Sequence, residues 1–248
     1  MVTMTDKLIH EIIPVGMLRC NCSILGDPVT REALVVDPGD EVERILDILR
    51  RHKLVVRAIV STHTHIDHVG GLAALHAATG APVLIHQADM PMYERLDMQA
   101  QFLGVRTPPT AKIDEYVKDG DILRWGGYTA RVIHTPGHSP GSISLFSDAG
   151  SPLRDGAKES GPALVRAAAD AAGARKKIVA PVTPLLLAGD TLFQGSIGRT
   201  DLWGGSMKEI LNSIREKLLV LPEATRVIAG HGEETTIGAE REENPFLE

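Results

Sequence analysis

The feature that most constrains this chain is the run T-H-T-H-I-D-H at residues 62–68, a dense set of metal-binding side chains. Neutral imidazoles and carboxylates are the ligands that borderline-soft divalent cations prefer. His63 and His65 would share a face at the end of a strand, but would point to nearly opposite sides of a helix. The strand-like Val55–Val60 run comes just before them. Both rings can therefore reach one ion.

Other candidate ligands occupy similar positions along the chain. Asp67 and His68 follow where the chain turns into a predicted helix. Neighbouring side chains diverge there, so these two could bind a second ion. Three later apolar runs each lead into a glycine-containing turn with a ligand-type residue, namely His138, Asp190 and His231. If these strand ends lie along one edge of the fold, their loops converge. Seven ligands are too many for one tetrahedral zinc and suit two metals that share a carboxylate.

Short strands with helices between some of them dominate the predicted secondary structure. The predicted strands are Leu8–Pro14, Asn21–Gly26, Ala33–Val36, Val55–Val60, Pro82–Ile85 and residues 121–125, 128–134, 142–146, 185–188 and 225–229. The predicted helices are Val42–Leu49, His68–Ala78 and residues 207–219, with short helices in the mixed region 87–118. This pattern favours an α+β fold in which packed sheets are covered by helices.

One segment, at about residues 148–184, departs from this pattern because it is rich in Gly, Ala, Pro and charged residues. It has little apolar mass beyond alanine, which is typical of a surface segment. We predict a single domain over residues 1–248 that carries this segment as a surface insertion. A lid over the active site is the alternative interpretation.

Charge and composition argue against several function classes. The formal net charge of −6 argues against a nucleic-acid partner. No stretch reaches the roughly 18 apolar residues of a membrane span. Met1–Val15 lacks the apolar core of a signal peptide, so we expect a cytoplasmic protein. Cys20 and Cys22 are too few and too close for a disulfide framework, and we predict buried thiols on an early strand.

The motifs together resemble one family. They are T-H-T-H-I-D-H at 62–68, H-T-P-G-H at 134–138, G-D-T-L-F at 189–193 and G-H-G at 230–232. This combination resembles the metallo-β-lactamase superfamily. The segment 189–201 and the residues at 235–238 and 244–246 are similar to the short, single-domain members of its glyoxalase II-like branch. The resemblance implies a four-layer αββα sandwich with the metals at one edge.

The resemblance also implies roles for the seven candidate ligands. His63, His65 and His138 would bind the first metal, Asp67, His68 and His231 the second, and Asp190 would bridge them. The metals are usually zinc in such enzymes, with iron or manganese as alternatives. With Asp67 and Asp190 as catalytic carboxylates, a metal-bridging hydroxide would cleave thioesters such as S-hydroxyacylglutathione.

Two other activities on the same scaffold stay open: a persulfide dioxygenase with one iron, and a lactonase. Full-length glyoxalase II has a helical C-terminal domain that contacts glutathione. This chain continues for only 17 residues beyond His231, so we expect no such domain. We expect a small-molecule thioester as the substrate, with a glutathione-linked one as a candidate, and the sequence assigns no oligomeric state.

Several other side chains have alternative interpretations. Asp37, in a V-D-P-G turn, either contacts a metal ligand or only shapes the turn. Arg199 either meets an anionic substrate or, as we favour, pairs with Asp201. Tyr93 and Phe193 are candidates to border the substrate. Core or groove positions are predicted for Met90, Met92 and Met98, and structural roles for His10, His52, His76, His86 and His134. For His134, which lies next to the H-T-P-G-H loop, a hydrogen bond to a metal ligand is the alternative.

Overall fold

The fold is built on two six-stranded sheets, which a computed structural model describes through residues 7–148 and 183–248. The first sheet has the order β1-β2-β3-β4-β5-β6. Its strands are β1 (Ile9–Val15), β2 (Cys20–Gly26), β3 (Glu32–Val36), β4 (Val55–Val60), β5 (Val83–His86) and β6 (Glu115–Val117). The first three strands are antiparallel, and β3 to β6 are parallel.

The second sheet has the order β14-β13-β10-β9-β8-β7. Its strands are β7 (Ile122–Trp125), β8 (Tyr128–His134), β9 (Ile143–Ser147), β10 (Leu185–Gly189), β13 (Arg226–Ala229) and β14 (Thr235–Thr236). A separate hairpin pairs β11 (Leu192–Phe193) with β12 (Ser196–Ile197). Because β9 is antiparallel to β8 and β10, and β10 is parallel to β13, the strands β8, β10 and β13 all run in one direction.

Helices cover the outer faces of both sheets. They are α1 (Val42–His52), α2 (Ile66–Val69), α3 (Leu72–Thr79), α4 (Met90–Tyr93), α5 (Leu96–Leu103), α6 (Met207–Ser213) and α7 (Ile237–Glu243). A 3₁₀ turn at Gln87–Asp89 precedes α4, and a π-helical turn at Ile214–Leu218 extends α6.

Side chains point to alternate faces along each strand, and this divides the hydrophobic core into three layers. In β3, Leu34 packs between the sheets, while its neighbour Val35 packs under the helices of the first sheet. In β10, Leu187 packs between the sheets and Leu186 packs under the helices of the second. Successive strand side chains point to opposite faces, so each sheet needs a cover on both sides. The predicted αββα sandwich is confirmed.

Most predicted elements are present with shifted ends, but the single helix predicted at His68–Ala78 is wrong. The structure breaks it into α2 and α3 at Gly70 and Gly71. The Gly71 N–H donates to the Pro38 carbonyl at 2.9 Å. A Cβ on Gly70 would lie 2.5 Å from the Gly39 carbonyl oxygen. The close approach of this remote turn therefore decides where the helix breaks.

Several predictions concern residues outside the described ranges. The insertion predicted at about 148–184 lies outside the described residues except at its ends, so it stays a prediction together with the single-domain interpretation. Within 7–148 and 183–248, no helix has the length and apolar character to cross a bilayer.

The tight turn at Gly39 gives a stability prediction. A Cβ at this position would lie 1.6 Å from the Asp67 carbonyl oxygen, so Gly39→Ala must push the ligand-bearing helix away. We expect the free energy of unfolding to fall by about 3 kcal/mol in chemical denaturation. The control is Gly127→Ala, whose Cβ would meet only Asp27 Oδ2, at 3.6 Å. Equal losses in the two variants would contradict the packing argument.

Candidate metal centre

The structure brings all seven predicted ligands to one edge of the sandwich. His63 and His65 lie just after β4, and Asp67 and His68 lie in α2. The other three follow the parallel strands β8, β10 and β13 and are His138, Asp190 and His231. Since those strands run in one direction, their carboxyl ends meet at the same edge of the sheet.

His63, His65 and His138 form the first group. Nε2 of His138 lies 3.2 Å from Nε2 of His63 and 2.8 Å from Nδ1 of His65. The His138 ring is inclined by 82° to each of the other two rings. The rings therefore do not stack, and their nitrogen lone pairs converge. The three ligand atoms lie within 4.8 Å of one another, a set able to hold a metal ion.

Asp67, His68 and His231 form the second group, which is also able to hold a metal ion. Nε2 of His231 lies 3.1 Å from Asp67 Oδ2 and 3.2 Å from Nε2 of His68. The His68 side chain is fully buried, whereas that of His231 is one-quarter exposed. Solvent therefore reaches the second group at the His231 side.

Asp190 lies between the two groups. Its Oδ1 is 3.5 Å from Nε2 of His68, and its Oδ2 is 3.6 Å from Nε2 of His138 and 3.7 Å from Nε2 of His231. Oδ1 is buried and has no hydrogen-bond partner among the described residues. A buried carboxylate oxygen without a donor is costly unless a cation balances it. These residues therefore fit a pair of metal ions that share Asp190.

Backbone carbonyls set the tautomers of two of the histidines. Nδ1 of His138 donates to the Arg199 carbonyl at 2.8 Å, and Nδ1 of His231 donates to the Leu18 carbonyl at 2.9 Å. A carbonyl oxygen only accepts, so the proton resides on Nδ1 and leaves Nε2 with a free lone pair. Such contacts to the outer nitrogen orient metal-binding histidines and fix their tautomer.

Asp37 orients the two buried rings, His68 directly and His63 through the Thr62 hydroxyl. Its Oδ2 lies 3.0 Å from Nδ1 of His68 and accepts from the Thr62 hydroxyl at 2.7 Å. That hydroxyl lies 3.2 Å from Nδ1 of His63. Asp37 adopts a left-handed backbone conformation with φ 53°. The structure thus supports the ligand-contact interpretation of Asp37.

Glycines immediately before two of the ligands make room for the cluster. A Cβ on Gly230 would lie 2.0 Å from Asp190 Oδ1. A Cβ on Gly189, whose φ is 51°, would lie 2.5 Å from Thr62 Oγ1. The G-D and G-H pairs of the sequence are therefore steric requirements of the closely packed site.

Burial keeps two rings of the first group, those of His63 and His65, unprotonated. It lowers the pKa of His63 well below the usual value, and the neighbouring His68 and His138 lower it further. Burial and the same two neighbours lower the pKa of His65 to about 3. Both rings are therefore neutral at pH 7, which is the form that binds a metal.

The second group differs because acidic side chains surround it. Burial alone would raise the pKa of Asp67, but His68 and His231 lower it below its usual range. Burial alone would lower the pKa of His68 and His231, but the acidic groups around them raise both values. Positive charge is therefore favoured here, and a proton competes for the position that a cation would take.

Cys20 and Cys22 are buried free thiols on β2, as predicted. Cys20 Sγ lies 3.4 Å from Nδ1 of His68, on the outer side of that ring. Burial raises the pKa of Cys20 to about 12, so the thiol is neutral at pH 7. It therefore packs behind the centre as an uncharged group.

Asp89 is a buried residue of the centre that sequence reasoning missed. Its Oδ2 accepts from the Thr64 N–H at 3.0 Å and from the Ser139 hydroxyl at 2.8 Å, and its Oδ1 accepts from the Gly141 N–H at 2.5 Å. It thus joins the loop of His63 and His65 to the loop of His138. The only feature of the sequence that could have identified Asp89 as a site residue was its position just after β5.

Gln99 is a second missed residue. Its Oε1 accepts from the Ile66 N–H at 2.9 Å, and its Nε2 donates to the Thr64 carbonyl at 3.1 Å. It therefore ties α5 to the residues on either side of His65. Nothing in the local sequence distinguishes this glutamine from a surface residue.

The predictions for the surrounding side chains have mixed outcomes. Arg199 pairs with Asp201 through two contacts of 2.8 and 2.9 Å, as we favoured. Tyr93 is buried and exchanges hydrogen bonds with the backbone of Ala111, so its predicted place beside the substrate is wrong. The place of Phe193 stays a prediction.

The isolated histidines make contacts of a structural kind. His134 donates from Nε2 to the Pro140 carbonyl at 2.9 Å and stacks on His86 with ring centroids 4.1 Å apart. The others contact Ser23, Glu11 and the Ala81 carbonyl, through His10, His52 and His76 respectively. These contacts agree with the predicted structural roles.

The loop junction at Asp89 gives a second prediction. Asp89→Asn turns one buried acceptor into a donor that faces other donors, so both ligand loops lose support. We expect the free energy of unfolding to fall by about 2 kcal/mol and the metal content to drop. Asp97→Asn, an exposed change on α5, is the control. Unchanged stability and metal content in Asp89→Asn would show that the junction is dispensable.

Comparisons with known proteins agree with this geometry. The chain matches the family model of the metallo-β-lactamase superfamily over residues 15–151 and 177–231. It is 34% identical to the hydroxyacylglutathione hydrolase GloC of Haemophilus influenzae over 239 residues, which cover 96% of this chain and 97% of that protein.

Solved structures give the same result. The BLEG-1 B3 metallo-β-lactamase has a TM-score of 0.76 and 35% identity, with coverage of 96% of this chain and 99% of that one. TTHA1623, crystallised in a di-iron-bound form, has a TM-score of 0.72 and 33% identity, with coverage of 96% and 100%. The fold, the clustered histidines and aspartates and these likenesses together show that the chain belongs to the metallo-β-lactamase superfamily and is one of its metallo-hydrolases.

Proposed function

We propose that this metallo-hydrolase cleaves thioesters at a centre of two divalent metal ions. The observation that carries the proposal is the position of Asp190, whose carboxylate oxygens lie near ring nitrogens of both ligand groups. Its unpartnered, buried Oδ1 supports a carboxylate shared between two cations. A site for one metal would leave either this oxygen or the second ligand group without a partner.

Each metal would have its own ligands. The first would be held by His63, His65 and His138, the second by Asp67, His68 and His231, and Asp190 would contact both. Three imidazoles with a carboxylate suit zinc. Iron is the alternative, and the di-iron form of the similar protein TTHA1623 supports it.

The chemistry follows from the charges of the centre. Bound divalent cations would supply a Lewis acid for the substrate carbonyl and would lower the pKa of a bound water toward neutrality. Asp67 stays ionised beside His68 and His231 and therefore has no proton to give to a leaving group. Substrates whose leaving group departs as a stable anion are favoured, and a thiolate, with a pKa of about 8.5, is such a group.

The likeness to the GloC protein supports a glutathione-linked substrate. That relative is called a hydroxyacylglutathione hydrolase, and the match extends over nearly the whole of both chains. S-lactoylglutathione is therefore the first substrate to test. Loss of the thioester absorbance reports its hydrolysis, and metal quantification on the same sample reports occupancy.

A small panel separates the alternatives on this scaffold. A lactone and glutathione persulfide are tested beside the thioester, with oxygen consumption recorded for the persulfide. We expect two metals per chain and turnover of the thioester. One iron per chain with oxygen uptake would replace our proposal by the dioxygenase, and turnover of the lactone alone would replace it by the lactonase.

The shared carboxylate gives the most specific prediction. Asp190→Asn keeps the shape of the side chain but removes its charge, so we expect kcat to fall by at least about a hundredfold. Metal content should fall toward one ion per chain. The control is Asp47→Asn, which removes an exposed carboxylate on α1 that pairs with Arg50. Retention of full turnover and two metals in Asp190→Asn would refute the role of this residue.

A further inference from the structure

A groove of about 580 Å³ lies beside the metal centre. We call it the side groove, and the residues that line it are Ala88, Pro91, Met92, Arg95, Met98, Pro140, Trp203 and Gly204. Among the described residues, none of those that line it carries a carboxylate. Its walls are thus apolar, with a single cationic side chain.

Hydrogen bonds and packing fix the side groove to the ligand loops. Gln99 donates from Nε2 both to the Met92 carbonyl at 3.2 Å and to the Thr64 carbonyl between His63 and His65. Elsewhere in the lining, a Cβ on Gly204 would lie 2.6 Å from Pro140 Cγ, which places these two residues in direct contact. Pro140 is two residues from His138. Both parts of the lining are therefore continuous with loops that carry ligands of the first group.

The cation of the side groove is available for a ligand. Among the described residues, the Arg95 guanidinium forms no ion pair, and its one hydrogen-bond partner is the weak acceptor Sδ of Met98, at 3.6 Å. Arg199, which lies on the loop before Trp203, instead donates two hydrogen bonds to Asp201. In a chain of net charge −6, an arginine without an ion pair in the described structure is free to pair with an anionic ligand.

The apolar wall suits a flexible organic chain. Met98 is 38% exposed and Trp203 is 55% exposed, although large apolar side chains are usually buried. Thioether side chains adapt to irregular ligands, and an indole offers a broad, rigid contact surface. A single arginine is too little positive charge for a nucleic-acid backbone, so a small molecule is the occupant that fits.

We propose that the side groove binds the part of the substrate remote from the attacked carbonyl, and that this part joins an apolar chain to a carboxylate. The carboxylate pairs with Arg95, and the chain lies against Met98 and Trp203. This inference rests on the proposed thioester hydrolysis and adds the substrate feature that is recognised. The carboxylate can belong to the thiol half or to the acyl half of the thioester.

Paired substrates test the inference and distinguish the two sources of the carboxylate. S-lactoylglutathione carries carboxylates on its thiol half, and the succinyl thioester of N-acetylcysteamine carries one on its acyl half. The neutral reference is the lactoyl thioester of N-acetylcysteamine. The measured quantity is the ratio of kcat/KM for each anionic substrate to that for the neutral one.

The ratio should fall by about fivefold in Arg95→Gln for at least one anionic substrate, mainly through a higher KM. The effect is of this size because an ion pair at an exposed site contributes only a small binding free energy. The substrate that responds identifies the half that carries the carboxylate. The control Arg106→Gln removes an exposed arginine that does not line the side groove, so its ratio should not change. Equal ratios in the wild type and Arg95→Gln for both anionic substrates would overturn the inference.

Binding can be followed without catalysis, which separates this inference from the proposed function. The chain has two tryptophans; Trp125 is fully buried and Trp203 is exposed. The thioether S-hexylglutathione should change the fluorescence of the holoenzyme, more weakly as its dimethyl ester, and the change should vanish in Trp203→Phe. If no thioester is hydrolysed but this binding is seen, the proposed function fails and the anion groove stands.

A contact between two copies of the chain is the competing use of this surface. Trp203→Ala should leave the sedimentation coefficient unchanged and weaken binding of S-hexylglutathione, which is measured for this variant by isothermal titration calorimetry because the reporting indole is absent. A lower sedimentation coefficient with unchanged binding would assign the groove to self-association and overturn the inference.

Discussion

The structure depends on one electrostatic constraint: imidazoles and carboxylates are packed together at a largely buried edge, with their ligand atoms facing one another. Burial alone disfavours charge there, and ring nitrogens that face one another at 2.8–3.2 Å cannot all satisfy each other. Bound cations would resolve this conflict, which is why the cluster is able to hold metal ions. Contacts on the outer side of the rings, from Asp37 and from the Leu18 and Arg199 carbonyls, prevent the rings from turning away.

The sandwich is arranged to meet this constraint. Strand direction in the second sheet delivers three ligand loops to one edge, and β4 of the first sheet delivers the fourth. Backbone packing at Gly39 and Gly230 lets these loops approach more closely than any side chain would permit. Asp89 then joins loops that lie on opposite sheets. The arrangement of the layers and the close packing of the turns thus together form the site.

Much of this could be predicted from the sequence because the signals are local. The ligand types in T-H-T-H-I-D-H and the apolar runs before Asp190 and His231 are visible without a fold. The roles of Asp89 and Gln99 could not be predicted, because their hydrogen-bond partners come from remote segments and the residues next to them in sequence form no recognisable motif. A backbone carbonyl such as that of Leu18 carries no residue-type signal at all. The break between α2 and α3 likewise depends on a distant turn.

The most direct test of the central claim is anomalous diffraction at the metal absorption edge, recorded from crystals of the protein as purified. We predict two peaks per chain, one at bonding distance from His63, His65 and His138 and the other at bonding distance from Asp67, His68 and His231, with Asp190 reaching both. A single peak, or peaks away from these side chains, would contradict the account.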